Sequence, residues 1–535
     1  MDLSKLTRKE LEANYQKIYN EKSKIENAYA EIYVELEAAK MKLNWYEEQI
    51  RIHQQKRFGA SSEKTQTDGQ VSLFNEPEND QVMFLPEPKV EEVIAPKKKR
   101  YGHKKEITKQ FPIETIEYKL SDEERNCKNC GNQLHEMSKQ VHVQLKLIPA
   151  QIIKEEHVQY VYSCRHCEEN EIETPIVTAK MPTPVIKNSL ASPSLVSHII
   201  TRKYVEGLPL YRQEQQFKRD GINLTRQTLS NWIINVSNSY FKHIYTRMHE
   251  ILIQKDILHA DETEVEVLNE PGREAINKSY MWMYRTGKYD DTPMVLFDYQ
   301  PGRNGEYARD FLKGYKGYLH VDGYAGYNKV ADVTLVGCFA HARRKYTDAL
   351  TAISDKESRS HTEASKGLEF CNQLFKIEDE IKELSPEEKY IKRIESSKPL
   401  LEAYFSWVEK TAETALPKSA LGLAVNYSLN QKEKLKKYLE DGRLEISNNA
   451  GERAIRPFVI GRGNWLFCNT PKGAKASAML YSIVETGKEN NLNLFNYFEY
   501  LLEKLPNINL EDKQELDKLL PWSSELPSTC RVPNN

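Results

Sequence analysis

At 535 residues the chain is too long for a single hydrophobic core, and we expect roughly three or four domains. Its 76 basic and 78 acidic residues leave a net charge of −2, so any contact with a polyanion must come from a local cluster of charge. No apolar run approaches the ~20 residues needed to span a bilayer and the N-terminus lacks a signal-peptide core, which predicts a soluble intracellular protein.

Residues 11–50 carry a seven-residue repeat. One series contains Leu11, Ile18, Ile25, Ile32, Ala39 and Tyr46. The other, four positions later, contains Tyr15, Lys22, Tyr29, Leu36, Leu43 and Ile50. Sustained without Pro or Gly, this pattern predicts a coiled coil that pairs two subunits, and the alternative is an amphipathic helix packed on the protein's own body.

The next segment changes composition. Residues 65–96 are rich in Pro, Glu, Asp and Gln, which is typical of a disordered linker. The linker ends in KKKRYGHKK (97–105), which either grips phosphates or is simply a solvated run of charge.

Two CxxC pairs follow, and they predict a structural zinc site. Eight cysteines are too few for a disulfide scaffold in a chain of this size, and clustered ones indicate metal. The spacer exceeds the common length, but HVQLKLIPAQIIKEEHVQYVYSC alternates like a β-hairpin that would close the distance. Four thiolates leave no open position for catalysis. The predicted ligands are Cys127, Cys130, Cys164 and Cys167.

Residues 183–245 are helical in pattern. The segment from Leu208 through GINLTRQTLSNWI (221–233) has the spacing of a helix, a tight Gly turn and a second helix capped by Thr225, as in a helix-turn-helix. Many helical hairpins never touch DNA, so the pattern alone leaves DNA contact open. The residues predicted on the exposed side are Arg226, Gln227 and Asn231.

Five β-type runs occupy residues 255–350. They are ILHADETEVEVL, SYMWMYRTG, PMVLFDYQ, GYLHVDGY and VTLVGCF, with helix-like EYARDFLKG (306–314) before the fourth and a helix (340–350) after the fifth. This order predicts an RNase H-like α/β core with a mixed sheet. Asp261 falls on the first strand and Asp322 at the end of the fourth, and neighbouring strands would put these carboxylates side by side.

Residues 351–440 are charged and helical in pattern, which predicts an all-helical insertion before the core resumes at 445–505. The expected architecture is therefore a multidomain α/β protein. Its predicted parts are a coiled coil (1–64), a linker (65–106), a zinc-binding β module (107–182), a helix-turn-helix-like domain (183–250), a first core segment (251–350), the helical insertion (351–443), a second core segment (444–506) and a C-terminal tail (507–535).

Three acids in separate segments form the candidate catalytic site: Asp261, Asp322 and Glu452. Brought together, they would repel one another unless divalent cations neutralise them, and such a trio typically holds two metal ions for phosphodiester chemistry. Oxygen ligands suit Mg²⁺ or Mn²⁺ better than zinc. Glu262 and Glu264 are rivals on the same strand, and each acid taken alone is more often a solvated surface group.

Basic residues accompany the second and third acids. Such residues interleaved with an aromatic suit a phosphate backbone and an unpaired base, although Arg453 beside an acid is more often a structural ion pair. The predicted DNA contacts are His341, Arg343, Arg344, Lys345, Arg453, Arg456, Arg462, Asn464, Trp465 and Lys472.

The blocks ADET, DGYAGY, GCFAHARRK and NNAGERAIRPFVIGRGNWLF together resemble, in order, the signature blocks of the transposases of insertion-sequence family sixty-six, the TnpC type. FGASSEK, the two CxxC pairs and LPLYRQE extend the resemblance over nearly the whole chain. One departure is Gly463, where the family usually has lysine.

The resemblance implies an RNase H-like DDE transposase whose triad is Asp261, Asp322 and Glu452. It further implies two Mg²⁺ or Mn²⁺ ions, structural zinc, recognition of terminal inverted repeats, small accessory proteins, and a bacterial cytoplasmic location on DNA. Two other classes stay open: an RNase H-like nuclease that never joins strands, and a non-catalytic zinc-containing DNA-binding regulator.

Overall fold

The computed structural model describes residues 151–165, 169, 176–353 and 361–533, single positions within 16–50, and residues 115, 117, 119 and 132. The chain divides into two compact units, Met1–Met83 with Thr183–Val532, and Phe84–Pro182 with Pro533–Asn535. Within the described part, no helix is long and apolar enough to cross a membrane.

The described positions within 16–50 are helical, as the seven-residue repeat predicts. The apolar side chains of the repeat that the structure describes are all exposed: Ile25, Tyr29, Ile32, Leu36, Leu43, Tyr46 and Ile50. The pairing of two subunits through this helix stays a prediction.

The smaller unit contains strands β1 (Val161–Ser163) and β2 (Ile176–Thr178), which pair antiparallel. Val161–Ser163 pairs with a strand that follows the second CxxC pair. The first half of the hairpin predicted within HVQLKLIPAQIIKEEHVQYVYSC lies outside the described residues, so that hairpin stays a prediction. Alternating residues show that a segment suits a sheet, but they do not identify the partner strand. Cys127, Cys130 and Cys167 lie outside the described residues.

Four helices lead into the main sheet, with a π-helical turn at Ser237–Phe241 between the last two. They are α1 (Pro193–Tyr204), α2 (Leu210–Arg219), α3 (Arg226–Val236) and α4 (Lys242–Leu252). Thr225 caps α3, because its side chain accepts a hydrogen bond from the amide of Thr228 at 3.2 Å. Gly221 has φ +86° in the turn after α2, a conformation that glycine adopts without strain.

The main sheet has five strands in the order β5-β4-β3-β6-β7. They are β3 (Ile257–Glu266), β4 (Lys278–Thr286), β5 (Val295–Gln300), β6 (Tyr318–His320) and β7 (Thr334–Val336). The first three pair antiparallel, and β6 and β7 run parallel to β3, so the sheet is mixed. Helix α5 (Gly305–Phe311) precedes β6, and a short 3₁₀ turn (Ala325–Lys329) joins β6 to β7.

A chain of helices follows β7. They are α6 (Phe339–Ala352), α7 (Glu363–Glu380), α8 (Pro386–Lys392), α9 (Lys398–Thr414), α10 (Ala420–Asn430) and α11 (Lys432–Lys436). The inserted helices form a second hydrophobic core with α6, built around Tyr346, Tyr404 and Trp407. The described part of the predicted insertion contains no strand, in agreement with its charged, helical pattern.

Buried Arg393 ties the insertion to the segment that returns to the sheet. Its guanidinium donates to both carboxylate oxygens of Glu378, at 2.8 and 2.6 Å. It also donates to the backbone carbonyl oxygens of Tyr438, Asp441 and Leu444, at 2.8–3.1 Å. A planar donor group therefore fixes the path of the chain just before the third predicted acid.

The chain closes with α12 (Asn449–Trp465), α13 (Pro471–Glu489), α14 (Leu494–Lys504) and α15 (Lys513–Asp517). Hydroxyls of α13 cover the edge strand β5: Thr486 accepts from the amide of Val295 at 3.0 Å, and Ser482 from that of Phe297 at 2.8 Å.

The main hydrophobic core runs from α1–α4 through the sheet to α13 and α14. The helices predicted as a separate helix-turn-helix domain therefore share one core with the sheet. The predicted tail joins the same core through Leu516, Leu519, Leu520, Leu526 and Cys530. The sequence predicted a tail here because charged and polar residues separate these apolar positions and hide their contribution to the core.

Arg393→Met should lower the free energy of unfolding by about 3–5 kcal/mol, because Glu378 would keep a largely buried charge without its partner. Chemical denaturation measures the change. Lys376→Met is the control, since its 3.9 Å pair with Glu380 is exposed and should contribute at most about 1 kcal/mol. Equal effects of the two substitutions would contradict the role given to Arg393.

Candidate active site

Two predicted acids lie at corresponding positions on adjacent parallel strands. Asp261 is on β3, and Asp322 lies two residues beyond the end of β6. The register pairs His259 with His320, so the same offset of two residues sets Asp261 beside Asp322. Neighbouring strands therefore bring the two carboxylates to one place.

The third acid, Glu452, lies in the first turn of α12, which packs across β3. Burial, and then the carboxylates of Glu262, Asp322 and Glu452, raise the pKa of Asp261 to about 8. The structure thus brings together all three predicted acids, although 130 residues separate the second from the third.

Backbone amides and a tyrosine hold the two aspartates in place. Oδ1 of Asp261 accepts from the amide of Glu262, and Oδ1 of Asp322 from that of Tyr324, both at 2.8 Å. The hydroxyl of Tyr427, from the insertion, donates to the carbonyl oxygen of Asp322 at 2.9 Å. The insertion therefore contacts the site directly.

The two rival acids on β3 are each paired with a cation. Glu262 is almost fully buried and accepts hydrogen bonds from Arg303 at 2.6 and 2.8 Å and from the hydroxyl of Tyr327 at 2.5 Å. Burial outweighs these contacts and raises the pKa of Glu262. Glu264 lies 2.6 Å from the ammonium of Lys278. The charged groups that shift the pKa of Asp261 are all carboxylates, whereas each rival acid has a cationic partner.

Glu452 lies among groups from the start of α6. Its carboxylate is 3.7 Å from Nδ1 of His341 and 3.6 Å from the guanidinium of Arg344. The sulfur of Cys338 completes a group of three possible ligand atoms within 4.8 Å of one another. Burial raises the pKa of this thiol to about 11, which disfavours a thiolate ligand at neutral pH.

Asn448 is a positioning residue that the sequence patterns did not single out. It is 1% exposed, its Oδ1 lies 2.8 Å from Nδ1 of His259, and its Nδ2 donates to the carbonyl oxygen of Ala260 at 2.9 Å. Its own carbonyl accepts from the amide of Glu452 at 3.1 Å. One side chain therefore fastens the first turn of α12 to the strand that carries Asp261.

Two buried histidines underlie this contact. The imidazoles of His259 and His320 stack with ring centroids 4.3 Å apart, and Nε2 of His259 lies 3.1 Å from Glu445. Burial and the neighbouring His259 hold the pKa of His320 well below its usual range, so that ring stays neutral. A repeated signal was present in the sequence: each aspartate follows a histidine by two positions, in His-Ala-Asp and His-Val-Asp.

The three residues predicted to read DNA from α3 are exposed, as expected. The side-chain amide of Gln227 donates to Oδ1 of Asn231 at 3.1 Å, so the two share one face. The guanidinium of Arg226 lies 5.9 Å from the ring centre of Tyr211 on α2. The face of α3 that carries these side chains is open to a ligand.

The predicted basic residues do not all face the same way. Arg453, Arg456, Asn464 and Lys472 are exposed, and His341 and Arg344 lie beside Glu452. The nitrogen-bearing side chains next to Glu452 thus come from α6 rather than from Arg453.

Four other predicted contacts engage the protein itself. Arg343 donates to Asn372 at 2.8 Å, Lys345 lies over the ring of Tyr427, and Arg462 donates to the carbonyl oxygen of Glu264. Trp465 is partly buried, and its ring packs edge-on against Phe458 beside the main core, so its contact with DNA stays a prediction. Helical spacing put Trp465 on the same face as core residues, which a simple basic-aromatic pattern does not distinguish.

Known families match most of the chain. A model described as "Transposase IS66 family" matches residues 188–476, more than half of the sequence. Three further models match residues 124–168 (zinc-finger binding domain of transposase IS66), 482–522 (IS66 C-terminal element) and 45–116 (Transposase C of IS166 homeodomain). The zinc-finger match spans all four predicted zinc ligands.

Three uncharacterised proteins of Sinorhizobium fredii (strain NBRC 101917 / NGR234) are similar to this chain. The protein y4qI is 29% identical over 363 residues, which cover 65% of each chain. The protein y4jD is 27% identical over 76% of this chain and 79% of its own length. The protein y4hP is 27% identical over 81% of this chain and 79% of its own. The match to y4qI spans slightly less than two-thirds of that relative.

A solved structure described as "Drosophila P element transposase strand transfer complex" aligns with 61% of this chain and 94% of its own. The identity is 14% and the TM-score is 0.35, a likeness too weak to inform the site.

Asn448→Ala should release the first turn of α12 from β3 and speed amide exchange around Glu452 roughly 10- to 100-fold, because buried hydrogen bonds are lost. Hydrogen exchange of peptides covering 446–456 measures this. Asn490→Ala is the matched control, since its Nδ2 also donates to two backbone carbonyls, at 2.9 and 2.8 Å. Unchanged exchange in the Asn448 variant would show that this side chain does not hold the helix.

Proposed function

Because the chain belongs to the IS66 transposase family, we propose that it is a DNA transposase that binds the terminal inverted repeats of its insertion sequence, cleaves them and joins them to target DNA. One observation supports this most: Asp261, Asp322 and Glu452 come to one place in the fold, where burial and then the carboxylates of Glu262, Asp322 and Glu452 raise the pKa of Asp261 to about 8. Such a cluster is costly to build and suits a positively charged ligand.

The donor set fits divalent cations. Three carboxylates offer hard oxygen ligands, and Oε1 of Glu452 is buried with no hydrogen-bond partner among the described residues. In our proposal Asp261, Asp322 and Glu452 would together hold two Mg²⁺ or Mn²⁺ ions. When bound, the ions supply a nucleophile at neutral pH and stabilise the leaving oxygen.

The protein's own groups orient this site. The amides of Glu262 and Tyr324 fix the two aspartates, and Asn448 fixes the helix that carries Glu452. In this proposal Arg344, beside Glu452, places positive charge where the DNA phosphate enters, and the imidazole of His341 lies beside the same carboxylate. The strand order, with three antiparallel strands followed by two parallel ones, supports an RNase H-like core.

The remaining parts supply DNA binding and assembly in this proposal. The exposed face of α3, with Arg226, Gln227 and Asn231, contacts the element ends, as does the zinc module held by the two CxxC pairs. The N-terminal helix pairs two subunits, so that both ends are handled together. Small accessory proteins of the same element are possible further partners, and the site of action is DNA in the bacterial cytoplasm.

Labelled terminal DNA, a target duplex and Mg²⁺ test the proposed activity. Joined product is the expected result. Cleavage without joining would instead indicate a nuclease, and binding alone, with no metal requirement, would indicate a regulator. The DNA that flanks the gene supplies the inverted repeats for the substrate.

Asp322→Asn should bind terminal DNA normally but lower product formation by more than roughly 100-fold, since even changes around a metal's ligands cost 10–100-fold. Gel-based cleavage and joining assays measure the loss. The matched control is Asp310→Asn, because Asp310 is exposed on α5 and its ion pair in the described part of the chain is with its neighbour Arg309 at 2.8 Å. A fully active Asp322 variant would refute the site assignment.

A further inference from the structure

The end of α12 contains a strained turn. Leu466 has φ +62° and ψ −54°, and the amide of Phe467 donates to the carbonyl oxygen of Trp465 at 2.8 Å. This is a three-residue γ-turn with a positive φ at its centre, a conformation that is rare and unfavourable for a residue with a side chain. Strain of this kind persists only where the surrounding structure enforces it.

The turn presents two apolar side chains to solvent. Leu466 is 64% and Phe467 is 44% exposed, and we call this pair the apolar tip. Neither residue gains the burial that normally offsets such strain. Glycine would adopt the same turn without cost, and a polar residue would be better solvated. The stability of the fold therefore does not explain why positions 466 and 467 carry leucine and phenylalanine.

The apolar tip is held firmly on both sides. Before it, the ring of Trp465 packs on Phe458, with centroids 5.6 Å apart. After it, the amide of Cys468 donates to the carbonyl oxygen of Glu266 at 2.9 Å, and Cys468 in turn accepts from Leu268 at 3.0 Å. Because its backbone is already ordered, the apolar tip can insert into a partner without first changing conformation.

The charge around the apolar tip favours an anionic partner. Between Glu452 and Glu485 the chain contains five basic residues and no acidic one: Arg453, Arg456, Arg462, Lys472 and Lys475. The strand beside the tip contributes two acidic residues. Glu264 forms an ion pair with Lys278 at 2.6 Å, and Glu266 is exposed. The balance remains positive, as expected of a surface that follows a phosphate backbone.

The position of the tip relates it to the acids. Cys468 forms a parallel bridge with Val267, six residues beyond Asp261 on the same stretch of chain. At ~3.3 Å per residue this separation is roughly 20 Å. Base pairs stack ~3.4 Å apart, so the distance corresponds to about six base pairs of DNA.

We propose that Leu466 and Phe467 form a wedge that enters the base stack of bound DNA about six base pairs from the phosphate held at the acids. Apolar wedges between base steps unstack and kink the duplex. The exposed Arg453 and Arg456 toward the acids, and Lys472 and Lys475 at the start of α13, would hold its backbone on either side. The inference rests on the proposed function, because it takes DNA as the ligand at Asp261. A kink here would present the element end to the acids in a bent form.

The test is DNA distortion measured without cleavage. Duplexes carrying the DNA that flanks the gene, with 2-aminopurine at each position in turn, are bound to the Asp322→Asn protein. The fluorescence of this base rises when it unstacks, so we expect one bright position about six base pairs from the cleavage site. Adding Leu466→Ala and Phe467→Ala should abolish that signal and weaken binding about tenfold, as the loss of stacking contacts does.

Leu416→Ala is the matched control, since Leu416 is 54% exposed on the insertion and outside the tip. It should leave both fluorescence and affinity unchanged. A bright position that survives the double substitution overturns the wedge, as does a double variant that loses only self-association in sedimentation, because the tip would then bind protein. Failure of the unmodified protein to bind or cut DNA would instead count against the proposed function.

The substitution Leu466→Gly distinguishes a role of Leu466 in DNA distortion from a role in stabilising the fold. Glycine adopts φ +62° freely, so this variant should melt at a higher temperature while losing the 2-aminopurine signal at the kink. A variant that is destabilised but still distorts DNA would contradict the wedge.

Discussion

Repulsion among three carboxylates is the constraint that shapes this protein. Burial, and then the carboxylates of Glu262, Asp322 and Glu452, raise the pKa of Asp261 to about 8. Such a cluster would separate if its supports were soft. Parallel strands fix two of the acids by register, while the third depends on contacts that reach across a long insertion.

Those contacts form a continuous path. Arg393 fixes the returning chain through three backbone carbonyls, and Asn448 then fastens the start of α12 to β3. On the other side, Tyr427 of the insertion bonds to the backbone of Asp322. The insertion is therefore more than a tolerated interruption of the core. It contributes to the rigidity of the site from two directions, as a pre-organised site requires.

Local patterns foretold the strands, the helices and the positions of the two aspartates, because alternation and helical periodicity reflect which side chains are buried. Glu452 was proposed from its own segment and its basic and aromatic neighbours, but no local pattern reports that it meets the aspartates across 130 residues. The role of Asn448 was missed for the same reason, because its partners His259 and Ala260 lie almost 190 residues earlier in the chain.

The burial of α13 has a consequence for synthesis. Its hydroxyls cover β5 and its side chains fill the main core, yet it follows that strand by some 170 residues. Translation adds ~5–20 residues per second, so α13 is synthesised on the order of ten seconds or more after the strand β5 that it covers. The nascent chain therefore emerges with an open sheet edge and a site lacking its third acid. Each molecule acquires a complete site only when nearly all of it has left the ribosome, and a truncated message yields none.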